Sequence, residues 1–334
     1  MHAARVLADS VSPRGIRLTT IEGRYPRIVL AEKNTHRALS RNSGSSRALP
    51  TKKMLAMIRE APYIPSIWGT YQSGMQGGPP LVGEARAKAE AGWLRARDAM
   101  IEEAEYLLSL GVEKGLTNRL LEPFMWHTVI VTATEWDNFL HLRCHKDAHN
   151  DIRLFAEKVQ EALHGSSPRE LAPGEWHLPL FGGIDDEPEG TMSNDAVDYE
   201  WARKVSVGRC TRVSYLTHDG RRDPQEDIGL HDRILKSGHM SPFEHVARPM
   251  TEAEFESYHG YEIVTEKGSV YRLQSSVRPV VGANSVFSAE GISLASDDRI
   301  VDVREGAFCG NFNGWVQYRK TLVREYDPLG VPRE

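Results

Sequence analysis

Three clusters of residues in this chain of 334 carry groups that chemistry needs. The first runs Thr35-His36-Arg37-Ala38-Leu39-Ser40-Arg41-Asn42-Ser43-Gly44-Ser45-Ser46-Arg47, with three arginines, a histidine and four serines beside one glycine. If the chain turns at Gly44, backbone amides and hydroxyls converge on one anion while a guanidinium fork neutralises it. The same composition also describes a solvated Ser/Gly loop. The second cluster is Asn138, His141, Arg143, His145 and His149. Asn138 and Arg143 in a mostly apolar helix need partners if buried. An arginine aimed at a ligand carbonyl stabilises negative charge developing there. His145 and His149 stand four apart, as helical metal ligands do, but the acidic residue of a His-Glu-x-x-His pattern is missing. Surface histidines are the preferred reading, and no metal is expected. The third cluster, Gly238-His239-Met240-Ser241-Pro242-Phe243-Glu244-His245, is a rigid turn bearing polar groups, or simply a helix cap and its loop.

Covalent catalysis finds little support. There is no Gly-x-Ser-x-Gly elbow, and Cys144 beside His145 is only a neighbour in sequence. A Walker loop and a Gly-x-Gly-x-x-Gly fingerprint are also missing, so a nucleotide must be held by another design.

The elements that position these clusters are partly legible. Ile16 to Leu30 reads as one or two strands leading into the basic stretch. Lys52–Glu60 reads as a short helix, and the prolines and glycines from Pro62 to Pro80 as a loop. Leu81–Leu110 reads as a helix with Trp93, Met100, Ala104 and Leu107 on a buried stripe and Gly111 after its end. Leu116–Glu122 suggests a short helix stopped by Pro123. Thr134–Leu163 reads as one helical region, with Trp136, Phe139, Leu140 and Arg143 on a common face. Further helices are expected near Tyr199–Lys204 and over Pro224–Ser237, ended by Gly238. Val246–Phe308 suggests short strands or a hairpin insertion, Trp315–Arg319 a strand, and the last ten residues a frayed end. One composite domain is expected: residues 1–165 with the basic motif and helical core, 166–195 as linker or surface loop, and 196–334 with an insertion at 250–310.

Composition bounds the function. Hydrophobic content of 40% and charged content of 26% are those of a globular protein. A net charge of -5 argues against a protein that coats nucleic acid, and no stable nucleic-acid partner is expected. Three scattered cysteines fit a reducing compartment and give no zinc site. No apolar run approaches the roughly 20 residues that span a bilayer, and no signal peptide is visible. A cytoplasmic protein is the expectation.

Jointly the clusters resemble the flavin-dependent thymidylate synthases. That family carries an Arg-His-Arg motif followed by a Ser-x-Asn-Glu-x-Ser-Gly-Arg run. Thr35-His36-Arg37 and Ser40–Arg47 stand in the same register. Asn138-Phe139-Leu140-His141-Leu142-Arg143 is similar to the family's Asn-Phe-Leu-x-Leu-Arg helix, and Arg119 to an arginine one helix earlier. Arg212-Val213-Ser214-Tyr215 and Ser241–His245 resemble the two motifs that open a family member. Here they follow the Arg-His-Arg segment instead, which reads as a circular permutation or an equivalent relocation of one layer.

The resemblance implies an α/β (α+β) subunit with helices packed on a mixed or antiparallel sheet, in rearranged order, assembled as a homotetramer. It implies one-carbon transfer from methylenetetrahydrofolate to C5 of dUMP, with FAD reduced by NADPH. Arg143 matches the catalytic arginine that polarises the pyrimidine. Ser45, Ser46, Arg47, Arg119 and Glu32 match nucleotide-binding positions. His36, Arg37, Asn138 and Ser241 match flavin-contacting positions, with Glu244 as an added orienting group. Three residues depart from the pattern: Thr35 replaces an arginine, Ser43 a glutamate and Glu32 a glutamine. Gln317 and Arg319 are candidates to restore the lost groups. Alternatives are a dCMP methylase or hydroxymethylase, or a nucleotide-binding homologue without catalysis.

Overall fold

Strands β1 (Ala3–Val11), β2 (Arg17–Pro26), β3 (Ser40–Ser43), β4 (Trp126–Ala133) and β5 (Arg169–Glu170) build the central sheet. The computed structural model describes residues 1–182, 198–219, 223–258, 260–268, 270–274, 279–282 and 299–322. Strand order is β3-β4-β2-β1-β5, antiparallel throughout except for the parallel β1–β5 edge. The fold is therefore α/β on a mixed sheet.

Helices α1 (Leu30–Asn34), α2 (Thr51–Glu60), α3 (Gly83–Ser109) and α4 (Lys114–Thr117) lie between β2 and β4 in the chain. Then come α5 (Asp137–Arg143), α6 (Asn150–His164), α7 (Tyr199–Val213) and α8 (Pro224–Ser237). The two-residue period of a strand splits the sheet into two packed faces. Ile21 and Tyr25 of β2 and Val129 and Val131 of β4 meet Phe139 of α5 and Ile152, Phe155 and Val159 of α6. On the other face Ile130 meets Cys210 and Val213 of α7. Helices α7 and α8 are pinned by a buried triad, with Asp227 accepting from Nε of Arg209 at 3.0 Å and of Arg212 at 2.5 Å. Their backbones touch at Gly208, where a Cβ would lie 2.2 Å from the Asp227 carbonyl oxygen.

A C-terminal layer completes that second face. It comprises β6 (Ala247–Pro249), α9 (Glu252–Ser257), β7 (Gly260–Thr265), β8 (Val270–Gln274), β9 (Ile300–Gly306), β10 (Phe308–Cys309), β11 (Phe312–Asn313) and β12 (Trp315–Gln317). Strands β8-β7-β9 form their own antiparallel sheet, while β12 pairs with β6. Leu18 of β2 packs under Ala247, Phe312 and Trp315.

Helices α2, α3 and α8 match the sequence reading closely. Thr134–Leu163 does not: it breaks at Cys144–His149 into α5 and α6. His149 caps α6, its Nδ1 accepting from Asp151 N at 3.3 Å, so His145 and His149 share no helix face. The Ile16–Leu30 strand reading corresponds to β2 alone, followed by a 3-10 turn and α1. Helix α7 extends well past Lys204. Pro123 lies inside a 3-10 turn, Asn118–Phe124, rather than ending a helix. Trp315, Val316 and Gln317 are all buried rather than alternating, because both faces of β12 are covered. In the Pro/Gly-rich region, Leu171, Trp176 and His177 are core residues. Residues 183–195 and the expected frayed end beyond 322 lie outside the described residues. Among the described residues no helix is long and apolar enough to cross a membrane.

Candidate active site around Glu32–Arg47

The basic Ser-rich stretch is tied down through its backbone and through Asn42, while Arg37, Ser45 and Arg47 stay exposed. Asn42 on β3 donates through Nδ2 to the Cys210 carbonyl at the end of α7, 3.0 Å away. Its Oδ1 accepts from Ser241 Oγ at 3.3 Å. Gly44 is pressed against Ser214, whose carbonyl oxygen would lie 2.5 Å from a Cβ there. Arg27 donates to the Gly44 carbonyl at 3.2 Å. Asn118 donates to the carbonyls of Ser46 and Leu49 at 2.7 and 3.0 Å, which closes the turn.

One flank of this stretch is a cleft of about 530 Å³ lined by Arg27, Leu30, Ala31, Asn34, Arg119 and Glu122. Asn34 brings a buried amide oxygen without a hydrogen-bond partner among the described residues. Ser46 is buried and donates its hydroxyl to Glu122, which also accepts from Arg27 at 3.3 Å. Ser45 is exposed. Arg47 is exposed and packs its stem on Gly115 of α4. Arg37, Arg47 and Arg119 are all exposed, and no hydrogen bond or ion pair occupies them among the described residues. Of the three, Arg119 lines the cleft, and an uncommitted guanidinium there suits phosphate oxygens.

The other flank holds Arg143, the last residue of α5. Its Nε donates to Nε2 of His36 at 2.8 Å, and its Nη2 donates to the Glu32 carbonyl at 3.2 Å and Thr35 Oγ1 at 3.0 Å. Nε2 of His36 therefore carries a lone pair, and the ring proton sits on Nδ1. Burial, then the charges of Arg143 and Lys33, pull His36 down to about 4; a hydrogen bond with Asn138 opposes this. His36 is neutral at physiological pH. The Glu32 carboxylate keeps one buried oxygen without a partner among the described residues. Within one chain α1 separates Arg143 from the cleft: Leu30, Ala31 and Asn34 line the cleft, while Glu32, Thr35 and His36 face Arg143.

Behind the stretch, Glu244 is ion-paired with Arg319, and Gln317 donates to Ser40 at 3.2 Å. Arg319 and Gln317 thus lie on the side of Ser241 and β3, and neither is bonded to Thr35 or Ser43. The structure gathers Glu32, His36, Asn138 and Arg143 on one flank and Ser46 and Arg119 on the other, with Ser241 joined to the stretch through Asn42. Sequence reading gave no role to Arg27, Asn34, Asn42, Asn118 or Glu122. Asn42 stands inside the Ser40–Arg47 run and Glu122 at the end of the Leu116–Glu122 helix reading; the others carry no local signal. Arg37 and Asn138 are exposed and adjoin His36.

No protein-family model and no curated protein matches the chain. Among solved structures, the UMP/dUMP methylase PolB from Streptomyces cacaoi bound with 5-Br dUMP is similar at 16% identity and a TM-score of 0.39, covering 49% of this chain and 90% of that one. Thymidylate Synthase X from Helicobacter pylori with FAD and dUMP is similar at 16% identity and a TM-score of 0.31, covering 44% and 67%. These likenesses are distant.

Proposed function

We propose that this chain is a flavin-dependent methylase of a pyrimidine deoxynucleoside monophosphate, acting at C5 of the base. The observation that carries the reading is convergence. Segments around residues 36, 42, 46, 119, 143, 210 and 241 meet on one stretch through named hydrogen bonds. They are the segments that resemble the motifs of flavin-dependent thymidylate synthases.

In this reading the nucleotide occupies the cleft beside Asn34, a volume within the usual range for small-molecule sites. Arg119 and Arg47 hold its phosphate as charge-assisted donors. His36, Arg37, Asn138 and Ser241 hold FAD, which when bound supplies the reducing electrons, with NADPH as their source and methylenetetrahydrofolate as the one-carbon donor. Arg143, oriented by His36 and Thr35, stabilises negative charge on the base carbonyl. A homotetramer is part of the proposal, since one chain holds Arg143 and the cleft on opposite flanks of α1.

A second reading, a cytosine nucleotide as substrate, draws on Glu32. Its unpartnered buried carboxylate oxygen is an acceptor and suits an exocyclic amino group better than a carbonyl. The test is mass spectrometry of products from dUMP and dCMP, each with methylenetetrahydrofolate, FAD and NADPH. Methylated dUMP supports the first reading, modified dCMP the second. Absence of both products together with absence of FAD uptake overturns both.

A further inference from the structure

Five buried side chains form one hydrogen-bonded line through the central sheet. Ser10 Oγ of β1 bonds Nδ1 of His177 at 2.8 Å, and Nε2 of His177 bonds Thr20 Oγ1 of β2 at 2.7 Å. Thr20 bonds Thr132 Oγ1 of β4 at 2.7 Å, and Thr132 bonds Nδ1 of His245 at 2.8 Å. Every member is at most 4% exposed. At the inner end, Nε2 of His245 is buried with no hydrogen-bond partner among the described residues.

The line has two complete polarities. In one, His245 Nδ1–H donates to Thr132, Thr132 to Thr20, Thr20 to His177 Nε2, and His177 Nδ1–H to Ser10. In the other every bond is reversed, and the proton of His245 sits on Nε2. Both make all four bonds with both rings neutral. Passing from the first to the second takes up one proton at His245 Nε2 and releases one from Ser10 Oγ, the most exposed member at 4%, to water, with no net charge left inside.

We propose that Ser10, His177, Thr20, Thr132 and His245 are a proton relay that serves a proton-exchanging group at Nε2 of His245. His245 lies on the same turn as Ser241 and Glu244, so the relay ends within the layer that closes the candidate site. Burial holds both rings neutral; Lys33 and His177 reinforce this at His245, while at His177 Asp9 opposes it and Arg169 reinforces it. Neutral rings are what a tautomer relay requires. The proposal does not depend on the methylase reading, because its readout needs no substrate.

The experiment is side-chain nitrogen–proton correlation on the full chain labelled at histidine. The relay predicts that His177 and His245 share one tautomer, both δ or both ε, and exchange their ring protons with solvent at a common rate. Thr132→Val cuts the line and slows exchange at His245 about tenfold while sparing His177; Thr132→Ser keeps the hydroxyl and restores the common rate. Ser10→Ala, at the other end, slows both. Opposite tautomers in the unaltered protein, or a His245 rate indifferent to both Thr132→Val and Ser10→Ala, would overturn the relay.

Discussion

Arg143 and His36, brought together from 107 residues apart, share a 2.8 Å hydrogen bond in which the guanidinium donates to a neutral imidazole. The bond fixes the tautomer of His36 and the direction of Arg143 at once. Replacing Arg143 by alanine removes the nearest positive charge but leaves the burial, so the His36 pKa rises from about 4 part of the way towards 6.5. Histidine proton shifts against pH read this directly. Under the proposed reaction the same variant loses about 10²–10³ in turnover while still binding FAD.

Arg119 and Arg47 are exposed and uncommitted, so their removal tests binding without disturbing the fold. Arg119→Ala and Arg47→Ala are each expected to weaken dUMP binding by about tenfold or more, the loss of one charge-assisted bond. Titration calorimetry with dUMP and with deoxyuridine separates the phosphate contribution. Equal weakening for both ligands would show that neither arginine holds the phosphate.

Asp227 is the reverse case, fully buried between two arginines. Asp227→Asn keeps the shape and leaves Arg209 and Arg212 without their shared counter-charge, at a cost of about 3–5 kcal/mol. Urea midpoints, with the slope unchanged, measure the loss. A shift within error would mean that the arginines find other acceptors as good.

Stability should fall on mild acidification. Burial is the largest cause holding His127, His177 and His245 at about 3, and His36 at about 4, against an ordinary 6.5. Each ring binds a proton in the unfolded chain before it does so in the folded one. Unfolding therefore takes up protons below pH 6.5, and stability drops from there towards pH 4 by about 1.4 kcal/mol per pH unit for each proton taken up. Thermal midpoints at pH 7.5, 6 and 5 check the sign; a flat profile would show that the rings are accessible and protonate without unfolding.

What could be read in advance depended on locality. Helix α8 announced itself, with Asp223 capping its start, Pro224 in its first turn and Gly238 at its end. Strand β4 did not, since Val129, Ile130 and Val131 are covered on both faces and show no alternation. Arg143 and His36 were picked out by motif, yet nothing local shows that they touch. Asn42 sat inside a quoted motif, but its meaning is its bond to Ser241, 199 positions away. The break at Cys144–His149 escaped notice because apolar spacing continues across it, and the cap that restarts α6 is a histidine.

The bond between Gln317 and Ser40 spans 277 positions, and Trp315 covers Leu18 across nearly the whole chain. During synthesis, β1 to β4, α5 and α6 leave the ribosome first, with the Leu18 and Thr20 face of the sheet still bare. His177, α7 and Ala247 begin to cover that face, and β12 completes the cover with Trp315. Long-range closure of this kind is slow, and an intermediate with an uncovered sheet face is prone to stick to its neighbours. Translation pauses before β12 should therefore lower the soluble yield of this protein far more than pauses after it.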